Sequence, residues 1–462
     1  MASPDTTHVL HRNLTIIPHL ATTGNASTIH TTTPSHPSLI DAACGASVSV
    51  LGHTAPEPVK SAIITQLNSL PYVYTGLGLT TSSAEDLASF LLSNKPGGLS
   101  RALFLNSGSE AMEAALKAAR QYHWEKGDTK RDVWVARKQG YHGNTLGALG
   151  VSGHDERRKQ YNGTKMLNEE KVRWIEPCYK FRGMRDGETE KAYGERLVAE
   201  FEDVVRKECD EEGNCRVAAV VMETVSGMSL GVVQPVEGYL AGIKRVCEKY
   251  GVLMMLDEVM CGMGKLGTHL HTWMHYPDFS GPDIQTVAKA LCAGFQPISA
   301  VLLSEKVVSA MKTGSGNLAN GHTYQAHPIA CAAALAVQEY IRDNNILELV
   351  TKRGELLTSC LKEEFKDYDK VGDIRGRGLF QGVEFVEDRK TMRPHSEESK
   401  IGLKVAQWAL DKEGLFLLPS VGKSGALGGE FVVLSLMYEV PEEEVREVVK
   451  RLGRAVRGVL GE

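Results

Sequence analysis

The run VLMMLDE at residues 252–258 constrains the fold of this chain more than any other stretch. Bulky apolar residues follow one another there with no helical or alternating period, which is typical of a strand buried on both faces of a parallel sheet. Asp257 comes directly after them, and ligands of open α/β sheets bind beyond the carboxyl ends of the strands. We therefore expect Asp257 to lie at a ligand site, where burial makes a cationic partner necessary.

A lysine further along the chain can complete a chemical pair with this carboxylate. Lys289 follows the apolar approach at residues 286–288 and precedes a turn that contains Gly294 and Pro297. A carboxylate that keeps a ring nitrogen protonated, together with a lysine that forms a Schiff base, is the minimum equipment for pyridoxal 5′-phosphate (PLP) chemistry. The sequence thus predicts PLP as a cofactor, with Lys289 and Asp257 as its catalytic partners.

Composition excludes several other classes of protein. The 462 residues can form more than one domain, and 42% hydrophobic with 24% charged residues is ordinary for a globular protein. A net charge of −5 argues against nucleic acid as a partner. The nine cysteines have no zinc-like spacing, so we expect reduced thiols and no metal. With neither a membrane-length apolar run nor a secretory signal, we expect a cytoplasmic protein without a membrane partner.

A strand–turn–helix unit over residues 101–124 predicts a phosphate site. Ser107 and Glu110 have the spacing of a capping box. A helix N-terminus preceded by small residues offers free N–H groups and a positive dipole end to an anion. Alone, this pattern is more typical of an ordinary capped helix. In a chain that also carries the aspartate–lysine pair, we assign Gly108 and Ser109 as ligands of the cofactor phosphate.

An aromatic ring stands on the next turn, between Gly140 and Gly143. The ring of Tyr141 can stack on a planar cofactor, although a single tyrosine in a turn is more often a surface aromatic. His142 is adjacent, and it either contacts the cofactor or only orients the turn. Glu223 follows another predicted buried strand, and its carboxylate would then lie at the same sheet edge as the predicted ligand site.

These motifs resemble, in order, those of the class III (ω-type) PLP-dependent aminotransferases. The similarity extends over about residues 38–460. Any one block would be weak evidence, and eight in order are strong evidence. The blocks are DAACGASVSVLGH (41–53), FLNSGSEAMEAALKAAR (104–120), QGYHGNT (139–145), METVSG (222–227), LDEVMCGMGKLG (256–267), AKAL (288–291), NGHTYQAHPIACAAALA (320–336) and DIRGRGLFQGVEF (373–385).

The resemblance implies an α/β fold of type I. A large domain then holds a mostly parallel, seven-stranded type of sheet between helices, beside a smaller α+β domain. We place the N-terminal arm and part of the small domain at residues 1–55, the PLP-binding domain at 56–329 and the C-terminal small domain at 330–462. The resemblance also implies a homodimer with shared active sites.

The resemblance implies further residue roles. Tyr141 and Val259 are expected to sandwich the pyridine ring between them. Thr323 is expected to cross the dimer interface to the partner's cofactor phosphate. Glu223 is expected to lie near both cofactor and substrate, and the loop that carries Tyr74 to line the substrate entrance; simple packing of that aromatic remains an equal alternative.

The implied reaction is transamination by a ping-pong mechanism. An incoming amine displaces Lys289 from the cofactor, and the freed lysine then moves a proton as general base and acid. Asp257 keeps the pyridine nitrogen protonated, so that the ring can accept the electrons. A keto or aldehyde acceptor then takes the amino group in a second half-reaction.

The chain departs from the family where the substrate is bound. Many members hold the α-carboxylate with an arginine at the position where this chain has Val433, and residues 415–425 contain no arginine either. Glu223 is thus expected to lack its usual partner. We expect a substrate without an α-carboxylate, such as a bulky amine, aldehyde or ketone of secondary metabolism, or one held by Lys423, Arg375 or backbone groups.

Three alternatives compete with transamination. An aminomutase, racemase or decarboxylase could use the same fold and residues, because one fold hosts several chemistries. A dinucleotide-dependent dehydrogenase is disfavoured because no G-x-G-x-x-G turn joins an early strand to a helix. An inactive scaffold is disfavoured because Asp257, Lys289, Tyr141 and Thr323 are all present.

Overall fold

The protein contains three β-sheets surrounded by helices, as seen in a computed structural model that describes residues 7–420 and 429–461. The strands are β1 (Ala21–Asn25), β2 (Thr28–Thr31), β3 (Ser38–Asp41), β4 (Leu99–Leu105), β5 (Val133–Arg137), β6 (Val172–Ile175), β7 (Val217–Glu223), β8 (Leu253–Asp257), β9 (Ile284–Val287), β10 (Ser299–Ser304), β11 (Val371–Arg377), β12 (Phe380–Phe385), β13 (Leu415–Phe416), β14 (Leu418–Pro419) and β15 (Glu430–Ser435).

The helices are the kinked α1 (Cys44–Ser47), then α2 (Glu57–Ser69), α3 (Ser82–Leu91), α4 (Gly108–Glu125), α5 (Leu146–Gly150), α6 (Asp155–Arg158), α7 (Lys180–Gly183), α8 (Glu190–Lys207), α9 (Tyr239–Tyr250), α10 (Glu305–Thr313), α11 (Pro328–Asp343), α12 (Ile346–Glu364), α13 (Ile401–Glu413) and α14 (Glu442–Leu460). In the described part of the chain, none of them is both long and apolar enough to span a bilayer.

The central sheet has seven strands in the order β4-β10-β9-β8-β7-β5-β6. Strand β10 runs antiparallel to both of its neighbours, whereas β9, β8, β7, β5 and β6 are mutually parallel. Every residue of β7 and β8 is buried. Met255 packs in the cluster with α4, and Met254 packs in the cluster with α8 and α9 on the opposite face. The predicted α/β architecture with a mostly parallel sheet between helices is confirmed.

The described residues also form two four-stranded sheets, in the orders β1-β2-β3-β13 and β11-β12-β15-β14. The first joins distant parts of the chain, because β3 pairs in parallel with β13 and Ile40 lies opposite Leu415. Helix α11 begins at Pro328, close to the predicted boundary at residue 330. The division into 1–55, 56–329 and 330–462 stays a prediction.

One strand prediction is wrong. The pattern of residues 376–384 predicts a single strand, but β11 and β12 form an antiparallel hairpin there. Gly378 makes the turn with φ +57°, and a Cβ on it would lie 2.7 Å from the carbonyl oxygen of Lys265. Residues 152–215 are charged and loop-rich, which predicts mostly solvated surface, and most of them are indeed accessible to solvent; the edge strand β6 among them was not predicted. Its four residues alternate too weakly between apolar and polar types to predict a strand.

Candidate active site

The carboxylate of Asp257 lies at the carboxyl end of β8, as the apolar run predicts. Its Oδ1 accepts a hydrogen bond from the backbone N–H of Val259 at 2.9 Å, and its Oδ2 lies 2.8 Å from Nδ1 of His142. Only 5% of the residue is exposed. These bonds hold an anion in a fixed orientation at the edge where ligands of such sheets bind.

His142 contacts Asp257 directly. The backbone N–H of His142 donates to Oγ of Ser152 at 2.8 Å, which fixes the turn. Because a carboxylate only accepts hydrogen bonds, Nδ1 of the ring is the donor to Asp257. Nε2 of the same ring is buried without a hydrogen-bond partner among the described residues. The sequence left open whether His142 contacts the cofactor or orients the turn, and the structure adds a third role, which is to hold Asp257.

Lys289 follows β9 in the left-handed region of the backbone, with φ +47°. This conformation is unfavourable for a residue with a side chain and is typical of functional sites. Its Nζ donates to the carbonyl oxygen of Ala46 at 3.0 Å. Burial lowers the pKa of Lys289 to about 8, while the charges of Asp257 and Glu223 oppose that shift. A sizeable fraction of this amine is therefore neutral near physiological pH.

A second lysine, which the sequence did not single out, holds the same loop. Lys265 is 1% exposed and donates to the carbonyl oxygen of Ser47 at 2.8 Å and to its hydroxyl at 2.6 Å. A third bond reaches the hydroxyl of Ser435 at 3.3 Å. Burial lowers the pKa of Lys265 to about 7. Adjacent carbonyl groups of one kinked segment thus bind both lysines.

The N-terminus of α4 has the predicted capping box. Oγ of Ser107 accepts from the N–H of Glu110 at 3.2 Å, and the Glu110 carboxylate accepts from the N–H of Asn106 at 3.1 Å. Gly108 and Ser109 occupy the first turn, where N–H groups have no carbonyl partner within the helix. A Cβ on Gly108 would lie 2.8 Å from Cγ1 of Val259. The helix start is therefore in close contact with the loop after Asp257.

The turn that carries Tyr141 packs on this helix start. Oγ of Ser109 accepts from the N–H of Asn144 at 3.0 Å, and a Cβ on Gly143 would lie 2.7 Å from the same oxygen. The guanidinium of Arg157 lies over the ring of Tyr141, 4.4 Å from its centroid. Burial raises the pKa of the Tyr141 phenol, and the charge of Arg157 opposes that shift.

Glu223 has a partner that the sequence did not reveal. Its Oε2 lies 3.2 Å from Nη2 of Arg137, at the end of β5, and accepts from the hydroxyl of Ser229 at 2.7 Å. Burial raises the pKa of Glu223, and the charge of Arg137 opposes the shift. The usual partner of Glu223 is absent, as Val433 predicts, and Arg137 takes its place because the order of strands brings β5 beside β7.

Within the described residues, neither position 433 nor Arg375 offers a free cation for a substrate carboxylate. Val433 is buried in β15, opposite Gly382 and Leu418. Arg375 donates to the carbonyl oxygens of Leu230 and Gly231, to the carboxylate of Asp373 and to that of Glu384. The proposal of Arg375 as a substrate ligand is therefore wrong, because internal acceptors already satisfy its guanidinium. Lys423 lies outside the described residues.

Thr323 and Tyr74 lie apart from these groups. Thr323 is exposed on the segment before α11, and its carbonyl oxygen accepts from the hydroxyl of Tyr72 at 2.8 Å. Tyr74 is 49% exposed, directly before a short 3₁₀ turn (Thr75–Leu77). Among the described residues, no hydrogen bond or ring contact joins either one to Asp257 or Lys289.

The assembled groups suit PLP. The first turn of α4 suits an anionic group such as a phosphate, the fixed Asp257 carboxylate suits a protonated ring nitrogen, and the Tyr141 ring suits a planar partner. Lys289 supplies an amine with a lowered pKa. The orphaned Nε2 of His142 indicates that this part of the site is completed by a group outside the chain.

Comparisons with known proteins agree with this geometry. Residues 21–456 match the model of the class-III aminotransferases. An aminotransferase of Gibberella zeae is 39% identical and covers 91% of this chain and 81% of its own length. A γ-aminobutyrate transaminase of Solanum lycopersicum is 31% identical over 90% of this chain and 77% of its own.

Solved structures give the same result. The omega transaminase of Pseudomonas jessenii in complex with PMP has a TM-score of 0.85 and 27% identity, and covers 96% of this chain and 93% of its own. The chain belongs to the class III aminotransferase family. It is a PLP-dependent aminotransferase of fold type I.

Proposed function

We propose that the protein transfers an amino group by a ping-pong mechanism, from an amine or amino acid donor to a keto or aldehyde acceptor. The observation that carries the proposal is the fixed pair of Asp257, bonded to His142, and Lys289, whose pKa is lowered to about 8. A single amine of this kind can serve both half-reactions, since each needs one proton moved at one substrate carbon.

The cofactor is held by residues from several elements. The N–H groups of Gly108 and Ser109 would bind its phosphate, and Tyr141 and Val259 would contact its ring. Asp257 keeps the ring nitrogen protonated, and His142 and the N–H of Val259 keep that carboxylate oriented. Bound in this way, PLP supplies an electron sink for the substrate carbon. Glu223 and its bonded Arg137 form a neutral pair near the reacting groups.

Lys289 is the base and acid of the reaction. Its neutral Nζ would take a proton from the amine-bearing carbon of the substrate and, once protonated, would give a proton back within the same half-reaction. Burial favours the neutral form of this amine, which is the form that accepts a proton. The carbonyl oxygen of Ala46, which binds Nζ at 3.0 Å, orients the amine while it is not attached to the cofactor.

The main substrate lacks the arginine-bound α-carboxylate of many family members. Support comes from the buried Val433 at the expected position and from the internal bonds of Arg375. The relative named γ-aminobutyrate transaminase is consistent with this, because the amine-bearing carbon of γ-aminobutyrate carries no carboxylate. A substrate pocket lined by Tyr74 and Glu223 would accept an amine, aldehyde or ketone.

The visible spectrum of the purified protein tests this proposal. Each donor, added without an acceptor, should bleach the cofactor band in one stoichiometric turnover, and an added keto or aldehyde acceptor should restore it. Simple amines should act as well as, or better than, common α-amino acids. Turnover of α-amino acids alone would overturn the substrate assignment, and turnover without any acceptor would favour a mutase, racemase or decarboxylase.

The protein acts as a homodimer with shared sites. Thr323 and Leu77 are exposed in a single chain, and so are Tyr324 and Tyr74 near them. This exposed apolar surface supports an interface with a second copy of the chain. Mixing and refolding Lys289→Ala with Thr323→Ala tests the sharing. If Thr323 completes the partner's site, mixed dimers regain one intact site and the mixture regains activity. If each chain holds its own Thr323, no activity returns.

All nine cysteines are free thiols. This supports a reducing compartment, the cytoplasm, as the location of the protein.

A further inference from the structure

Two consecutive arginines of α6 have opposite environments. Arg158 is buried and donates through Nη1 to the carbonyl oxygens of Leu149, Gly150 and Ser152 at 2.9–3.2 Å. Its Nη2 lies 2.9 Å from the carboxylate of Glu169. These bonds fix the short helix, so that Arg157 projects from a rigid support toward Tyr141.

Arg157 has no anionic partner in the part of the chain that the structure describes. Its guanidinium lies 4.4 Å from the centroid of the Tyr141 ring, and it is half-buried. Asp155 and Glu156, its neighbours in the helix, are exposed and do not pair with it. The charge of Arg157 also acts on Lys289, where it favours the neutral amine. An unpaired cation therefore lies over the ring of Tyr141, and its charge acts on the amine of Lys289.

Such a cation is costly unless an anion joins it, because partial burial removes water without supplying a counter-charge. A ring face offsets part of this cost. A carboxylate offsets more, since a guanidinium can bind both of its oxygens in parallel. Two further arginines near the site or proposed for it are already occupied, Arg137 by Glu223 and Arg375 by internal acceptors.

We propose that Arg157 binds the carboxylate of the carboxylate-bearing substrate, and so replaces the arginine that is absent at Val433. The inference rests on the proposed function. In a ping-pong reaction two substrates use one site in turn, and only one of them needs to carry a carboxylate. One substrate is thus an amino acid or oxo acid, and the second substrate, which uses the site in turn, lacks a carboxylate.

Matched substrate pairs measure this role. In each pair a methyl group replaces the carboxylate: L-alanine with isopropylamine, β-alanine with propylamine and γ-aminobutyrate with butylamine. For the pair that the wild type uses best, Arg157→Leu should lower the ratio of kcat/KM between acid and amine by about 10- to 100-fold. Arg157→Lys should recover only part of that ratio, because lysine cannot bind both oxygens. Arg206→Leu, on the exposed face of α8, is the control and should keep the ratio.

A binding measurement gives a readout without turnover. Butanoate carries the carboxylate and no amine, and calorimetric titration of the cofactor-loaded protein gives its Kd. The Kd should rise about 10-fold or more in Arg157→Leu and stay unchanged in Arg206→Leu. A structural role for Arg157 alone would lower stability without changing this Kd.

Three results would overturn the inference. They are an unchanged ratio and Kd in Arg157→Leu, a wild type that uses no carboxylate-bearing substrate, and a loss in Arg12→Leu instead. Arg12 is an exposed arm residue whose charge also acts on Tyr141, so it is the competing cation. Failure of the proposed function looks different, because the wild type would then transfer no amino group in any pair.

Discussion

His142 Nδ1 lies 2.8 Å from Asp257 Oδ2, and both residues are almost fully buried. The histidine holds Oδ2 and the backbone N–H of Val259 holds Oδ1, so the two bonds together fix the orientation of the carboxylate. Because the backbone of the histidine is fixed by Ser152, the orientation of Asp257 depends on a turn from another part of the chain. A partner of this kind tunes an active group without touching the substrate.

Removing the ring should therefore weaken the cofactor site. We expect His142→Ala to raise the Kd for PLP by about 10- to 100-fold, as measured by equilibrium dialysis. His142→Asn places an amide N–H near the position of Nδ1 and should retain most of the affinity. Equal losses in both variants would show that the hydrogen bond to Asp257 does not matter.

The lowered pKa of Lys289 predicts how the apoprotein reacts with PLP. Only the neutral amine attacks, and burial favours it, so the attachment rate should rise with pH to a midpoint near 8. Arg157→Leu removes a positive charge and should shift the midpoint to higher pH, and Asp257→Asn removes a negative charge and should shift it lower. Stopped-flow absorbance measures the rate, and a midpoint near the ordinary lysine value of 10.5 would contradict the assignment.

The Arg137–Glu223 pair predicts an effect on stability. Glu223→Gln leaves a buried guanidinium without its counter-charge, which should lower the free energy of unfolding of the apoprotein by about 3 kcal/mol. Urea denaturation followed by circular dichroism measures this. Glu57→Gln removes an exposed pair with Lys60 and is the control without a measurable loss. Equal stability in the two variants would mean that Arg137 finds another partner.

The close contact between Gly108 and Val259 predicts a steric effect on the cofactor. In Gly108→Ala the new methyl group lies 2.8 Å from Cγ1 of Val259, so one of the two must shift. We expect the Kd for PLP to rise about 10-fold or more, since overpacking typically costs about 1–3 kcal/mol. The double variant Gly108→Ala/Val259→Ala should recover part of the lost affinity. If its loss of binding free energy equals the sum of the losses in the two single variants, the contact is refuted.

The sequence predicted those parts of the fold that depend on residues close together in the chain. Apolar positions at helical spacing predict helices over residues 346–364 and 442–460, and α12 and α14 have these bounds. The capping box at Ser107 is likewise a matter of four neighbouring residues. The position of Asp257 at a strand end followed from one apolar run.

Contacts between distant segments could not be predicted in this way. Arg137 and Glu223 are 86 residues apart and meet only because β5 lies beside β7. The contact of Arg157 with Tyr141 depends on the fold of a loop that looked like solvated surface. The hairpin at Gly378 was missed because its strands are joined by a tight turn within a continuous β-like pattern.

The pairing of β3 with β13 has a consequence for synthesis of the chain. Ile40 and Leu415, which lie opposite each other in the register, are 375 positions apart, so β3 has no partner on this edge until that length of chain has been translated. At about 5–20 residues per second this delay is about 20–75 s. During that time the third strand of the arm has an open edge, which is a template for pairing with other chains. The nascent chain therefore exposes this edge to aggregation until β13 has been made, and a chaperone that covers strand edges would act in that interval.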